Sequence, residues 1–181
     1  MEKLKEIKKS SKKLFDGRLI KVKIDTVKLP NGKESTREVI EHPGAVAVIA
    51  LTDENEMILV RQFRYPTGEV LLELPAGVPN KGEALEKAAR RELEEETGYY
   101  AKKVKKILSG YSTPGYSNEI INYFIAEELT LHKQNMDEDE FVEVDIIDLE
   151  ALLDLAYAGK ITDNKTIIGI MMADAYLKGK V

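Results

Sequence analysis

The chain has 181 residues, 43% of them hydrophobic and 33% charged, and a formal charge of −5 at pH 7, which suits a globular protein able to bury a real core. It has no cysteine, and His42 and His132 are its only histidines, so disulfides and thiolate or histidine-rich metal centres are excluded and any metal must sit on carboxylates and carbonyls, the ligands of hard cations such as Mg2+ or Mn2+. The longest apolar run, 45–51, is far too short for a bilayer, and the first residues hold no apolar signal-peptide core, so a cytoplasmic protein without membrane contact is expected.

In chain order, residues 1–23 come first, with nine Lys/Arg against three Asp/Glu; the remainder is acidic. The basic arm reads as a solvated segment rather than a nucleic-acid site. No aromatic residue interleaves its lysines before Phe15, and the acidic body repels a polyanion. Alternation over 18–27 predicts a strand. Asn31-Gly32 centres a turn, and 37–41 returns as the second strand of a hairpin. Pro43-Gly44 breaks the chain. The continuous apolar run 45–51 predicts a strand buried on both faces. Strands follow at 57–63 and 70–74, then Pro75-Ala76-Gly77, then a helix over 83–97 stopped by Gly98. Further strands are expected at 104–108, 120–126 and 141–147. Helices at 149–158, with Asp148 as cap, and at 165–177 close the chain. The pattern predicts an α/β or α+β layered fold. Residues 1–42 are expected to form an N-terminal β-hairpin segment, and 43–181 the main domain.

The helix from Glu83 mixes packing with chemistry. At 100° per residue, Leu85, Ala88, Ala89, Glu92 and Glu96 fall on one stripe. The first three belong on a core-facing stripe; the glutamates continue it at the helix end. Glu94 falls on the opposite face and looks dispensable. Acids in the last turn oppose the helix dipole by roughly 0.3–1 kcal/mol each. Arg91 can relieve Glu95, four positions on, but nothing local relieves Glu92 and Glu96. A divalent cation would, because carboxylates at 92, 95 and 96 fit within about 100° of arc.

Gly77, Glu83, Arg91, Glu92, Leu93, Glu95, Glu96 and Gly98 stand at the spacing Gly-x5-Glu-x7-Arg-Glu-U-x-Glu-Glu-x-Gly. This resembles the Nudix box, with Tyr99 in place of a final aliphatic residue. The resemblance extends to the ADP-ribose pyrophosphatase branch. Leu29-Pro30-Asn31-Gly32, Arg37-Glu38-Val39, Val60-Arg61-Gln62-Phe63-Arg64-Tyr65, Leu72-Glu73-Leu74-Pro75-Ala76-Gly77 and Thr113-Pro114-Gly115-Tyr116 all look like that branch. So does Gly159-Lys160-Ile161-Thr162-Asp163-Asn164-Lys165-Thr166.

The resemblance implies an α/β/α sandwich around a mixed sheet and hydrolysis of ADP-ribose, or a similar nucleoside diphosphate sugar, to AMP and ribose 5-phosphate. Alternatives are another nucleotide sugar, a damaged nucleoside triphosphate, or a non-catalytic nucleotide sensor. It implies Mg2+, with Mn2+ as substitute, held by Glu92, Glu95, Glu96 and the Ala76 carbonyl. Glu95 would share the site or support it, and Glu83 would work with Arg91. The general base would come from the acidic stretch 137–140: Glu138 is favoured, with Glu140 as runner-up or additional ligand. Arg37, Arg64, Glu73 and Gly115 would contact substrate, while His42 reads as a turn residue. The resemblance also implies a homodimer through the N-terminal hairpin, with Arg37 acting in the neighbouring subunit.

Overall fold

A computed structural model describes residues 2–136 and 141–181; the stretch 137–140, and with it Glu138 and Glu140, lies outside the described residues. The chain forms two compact units, one of Met1–Gly44 with Tyr111–Ile120 and one of Ala45–Gly110 with Ile121–Val181.

The first unit holds an antiparallel sheet of β1 (Ile7–Asp16), β2 (Lys21–Lys28) and β3 (Glu34–Glu41), in that order. The expected hairpin is β2–β3, in register from Lys21↔Glu41 to Lys28↔Glu34. Its turn closes with Leu29 N–H on the Lys33 carbonyl at 2.7 Å, and Gly32 takes φ +86°, a conformation glycine adopts without a Cβ clash. The basic arm is a finding: it forms β1, a ten-residue strand paired along β2 with two bulges. All ten of its residues are exposed. With no buried face there is no period-2 pattern to read.

The second unit is built on a mixed sheet in the order β10 (Val142–Asp148), β5 (Glu56–Arg64), β4 (Ala45–Leu51), β9 (Ile120–Leu131), β8 (Tyr99–Tyr111). β4 runs parallel to β9 and antiparallel to β5. Strand β4 is buried on both faces, as its continuous apolar run predicts. Ala47, Ile49 and Leu51 join a core with Leu149, Leu152 and Ile161 and with Ile170 and Ala173, the layer of α2 (Leu149–Tyr157) and α3 (Asn164–Leu177). Val46, Val48 and Ala50 join a second core with Ala88, Ala89 and Leu93 of α1 (Leu85–Thr97). This is an α/β/α sandwich.

The sheet forks at one point. β5 pairs with β4 only at Met57 and Ile58; beyond that it pairs with β6 (Glu69–Glu73), from Val60↔Glu73 to Arg64↔Glu69. β4 meanwhile takes up β7 (Ala76–Gly77) at Val46 and Ala47. Leu74 and Pro75 cross the fork, and the Pro75 carbonyl accepts from Val48 N–H at 2.8 Å. Glu73 is thus fixed by pairing to β5, and Ala76 and Gly77 by pairing to β4. None of the helices among the described residues is long and apolar enough to cross a membrane.

Candidate active site

α1 brings its acidic end to this fork. Ala88, Ala89 and Leu93 are fully buried, and Glu96 is only 4% exposed, so the carboxylate does continue the inward stripe. Gly98 ends the helix at φ 77° and returns its N–H to the Glu94 carbonyl at 2.8 Å.

Arg91 organises the acids around it. Its guanidinium meets Glu83 at 3.1 and 3.0 Å, Glu95 at 2.7 Å and Glu92 at 2.9 Å. The Glu83 hydrogen bonds hold Arg91 above its ordinary pKa. Arg91 in turn, with the Asn80 N–H, holds Glu83 below its own. The sequence spacing left Glu92 and Glu96 without local relief, and the fold corrects this. Arg91 turns back to its neighbour Glu92, and Ala76 N–H donates to Glu96 Oε2 at 3.2 Å. Neither contact follows from i, i+4 spacing.

Gly77 is where Glu92 and β7 meet. A Cβ built on Gly77 would fall on the Glu92 carboxylate, so only glycine leaves this carboxylate its place. Glu92 and Glu96 therefore both converge on the backbone of Ala76–Gly77. Their oxygens suit a hard divalent cation, and the sequence has no cysteine to offer a thiolate. Glu95 is turned to Arg91, and among the described residues no three Asp, Glu or His side chains are already gathered as a cation site.

Beside this cluster lies a second one. Glu73 is 1% exposed. Its carboxylate accepts Arg64 Nε at 2.7 Å and the Arg64 terminal nitrogen at 2.8 Å, and it also pairs with Lys165. Burial pushes the Glu73 pKa up, but the hydrogen bonds and charges of Arg64 and Lys165 outweigh burial and bring it below the ordinary value. Arg64 is raised, first by its bond to Glu73, with Glu96 adding a Coulomb contribution. Lys165 also meets Asp163 at 2.9 Å, which caps α3 through Thr166 N–H at 3.0 Å. Thr166 Oγ1, fully buried, accepts from Leu74 N–H at 2.8 Å. The start of α3 thereby holds the strand end that carries Glu73.

Sequence reasoning brought out the Gly159–Thr166 stretch but assigned Lys165 and Thr166 no role. Their only signal was that resemblance. Arg37 and Gly115 belong to the first unit. Arg37 Nε donates to Glu6 at 2.9 Å and its Nη1 to the Thr36 carbonyl at 2.8 Å. Gly115 sits in a turn where a Cβ would meet nothing within 4 Å. His42 Nδ1 accepts Gly44 N–H at 3.1 Å and lies 3.4 Å from Glu119, the geometry of a turn residue.

The family model of the NUDIX domain matches residues 41–167, and that of the nucleoside diphosphate sugar hydrolase N-terminal domain matches 6–40. The chain is 48% identical over 172 residues to an ADP-ribose pyrophosphatase of Bacillus subtilis, covering 94% of this chain and 93% of the relative. It is 42% identical over 163 residues to a methanol dehydrogenase activator of Bacillus methanolicus, covering 88% of each. A GDP-mannose pyrophosphatase of Salmonella arizonae is 35% identical over 150 residues, covering 76% of this chain and 78% of the relative. The fold matches a crystal structure of an ADP compounds hydrolase with a TM-score of 0.86 at 23% identity, covering 98% of this chain and 97% of that one. With the box helix, the glycine beneath Glu92 and the sandwich all in place, the chain belongs to the Nudix hydrolase family.

Proposed function

We propose that the chain hydrolyses the pyrophosphate bond of ADP-ribose, or of a similar nucleoside diphosphate sugar, to AMP and ribose 5-phosphate, with Mg2+ as its metal and Mn2+ as substitute. The observation that carries this reading is the convergence of Glu92 and Glu96 on Ala76–Gly77, with Arg64 clamped on Glu73 beside them. The name of the Bacillus subtilis relative supports the choice of substrate. Glu92, Glu95, Glu96 and the Ala76 carbonyl would hold a divalent metal, which would supply charge neutralisation and activation of water.

The chain's own groups then divide the work. Arg91 pairs with Glu83, Glu92 and Glu95 and holds the three carboxylates in place. Glu73 and Arg64 contact the substrate together: Glu73 aims the Arg64 guanidinium, whose planar fork suits phosphate oxygens. Removal of the water's proton falls to Glu138 or Glu140, outside the described residues. Arg37 and Gly115 complete the substrate contacts. We place the protein in the cytoplasm as a homodimer through its N-terminal segment.

A panel of ADP-ribose, GDP-mannose, other nucleotide sugars and nucleoside triphosphates, each with Mg2+ and with Mn2+, tests the reading. ADP-ribose is expected to give the highest kcat/KM. Better turnover of GDP-mannose would move the chain to the substrate of its 35%-identical relative. Better turnover of triphosphates would overturn the proposal.

A further inference from the structure

α1 carries Glu94, Glu95 and Glu96 in the turn that also bears the helix's partial negative charge. The last carbonyls of a helix have no partner within it and need donors from elsewhere. Here one stretch, residues 132–136, supplies them. Asn135 N–H donates to the Glu95 carbonyl at 3.1 Å, Gln134 Nε2 to the Glu96 carbonyl at 2.5 Å, and His132 N–H to the Gly98 carbonyl at 2.6 Å. Glu94, which the helical wheel turns away from the site, meets His132 Nδ1 at 2.8 Å. The His132 ring also stacks on Tyr100, with centroids 5.4 Å apart.

Gly98 makes room for this stretch. A Cβ there would lie 3.1 Å from Gln134 N and 3.4 Å from the His132 carbonyl oxygen. The residue that closes the box is thus needed twice, for its left-handed φ and for this close approach.

We infer that residues 132–136 clamp the end of α1, and that Gln134, with the Glu94–His132 pair, is a positioning residue for the Glu95 and Glu96 carboxylates. The inference rests on the metal-dependent reading above. The clamp grips the backbone of the two residues whose side chains would hold metal. A last turn without such donors frays or tightens toward 3-10 geometry. That would carry Glu95 and Glu96 away from Glu92, one turn earlier. Glu94 has its task in this device: it holds the ring of the clamp.

The test is Mn2+ binding by calorimetry on the full chain, with the thermal midpoint of each variant measured alongside. Gln134→Met keeps the shape and loses the donor. It is expected to weaken Mn2+ about tenfold, equivalent to about 1.4 kcal/mol, with the midpoint near that of the wild type. Saturating metal should then restore most of the turnover. Gln134→Glu separates position from charge. It brings a negative charge toward the cluster, so a purely Coulombic role predicts tighter Mn2+. It also sets an acceptor against the Glu96 carbonyl, so the clamp predicts weaker binding.

Tighter binding by Gln134→Glu, or wild-type affinity in Gln134→Met, overturns the inference. Amide exchange in the wild type reads the clamp without any variant: protected amides at His132 and Asn135 are expected, and open-loop rates overturn it. Wild type that binds no Mn2+ overturns both this inference and the proposed function. Wild type that binds Mn2+ beside variants with unchanged affinity overturns the clamp alone.

Discussion

Gly77 separates folding from function at the scale of one hydrogen atom. A Cβ there meets the end of the Glu92 side chain, which can swing aside, rather than backbone. Gly77→Ala should therefore change stability by no more than about 1 kcal/mol. With Glu92 displaced, kcat/KM should fall at least about tenfold, roughly 1.4 kcal/mol of barrier. A melting curve and a rate assay check both, and an unchanged rate would remove Glu92 from the site. Glu73 is the opposite case, because it is tied into the fold. Its folded pKa lies below the ordinary 4.5, so its ionised form adds stability at neutral pH. That contribution is lost as pH falls from 4.5 through the depressed folded value. Glu73→Gln leaves Lys165 and Arg64 without their buried partner and should cost about 3 kcal/mol at pH 7. Denaturation of the two proteins across pH checks this: the difference should shrink as pH drops below 4.5 and stay constant above 6.

Among the elements, α3 fixes the site from a distance. Thr166 Oγ1 is the acceptor for Leu74 N–H and the donor to Asp163, at 2.8 and 2.6 Å. Thr166→Val keeps the shape and leaves that amide unsatisfied, which should cost about 1–3 kcal/mol, read as a lower thermal midpoint. KM for the substrate should rise with it, since the Glu73–Arg64 clamp sits on the same strand end. This dependence could not be read from the sequence, because Lys165 and Thr166 each meet their partners 92 positions away. What was legible had a period. The run 45–51 announced a strand buried on both faces, and 100° spacing placed Glu96 on the buried face of α1. β1 had no such signal, since exposure on both faces leaves no alternation. β7 has only two residues and exists because the sheet forks. The clamp escaped for the same reason as Lys165: it reaches α1 from 38 positions away.

At the scale of the whole molecule, the first unit shows what its sheet lacks. Among its described residues the only buried hydrophobic one is Val27, and Ile7, Leu14 and Phe15 of β1 are 61%, 51% and 56% exposed. A three-stranded sheet gains stability when one face packs against something apolar, and the proposed dimer would cover these exposed side chains of β1. The second unit also exposes Phe63, Tyr65, Val70 and Phe141. A second copy of the chain is the partner that needs no further component. Sedimentation equilibrium at micromolar concentration should then give about twice the 20.4 kDa of one chain. Ile7→Glu combined with Leu14→Glu places charge on two exposed β1 positions without touching a core, so each chain should keep its fold. The mass of this variant should fall toward one chain, and the effect should be reduced at high salt, which screens the introduced charges. A wild-type mass of one chain at these concentrations would refute the dimer, and with it the action of Arg37 in a neighbouring subunit.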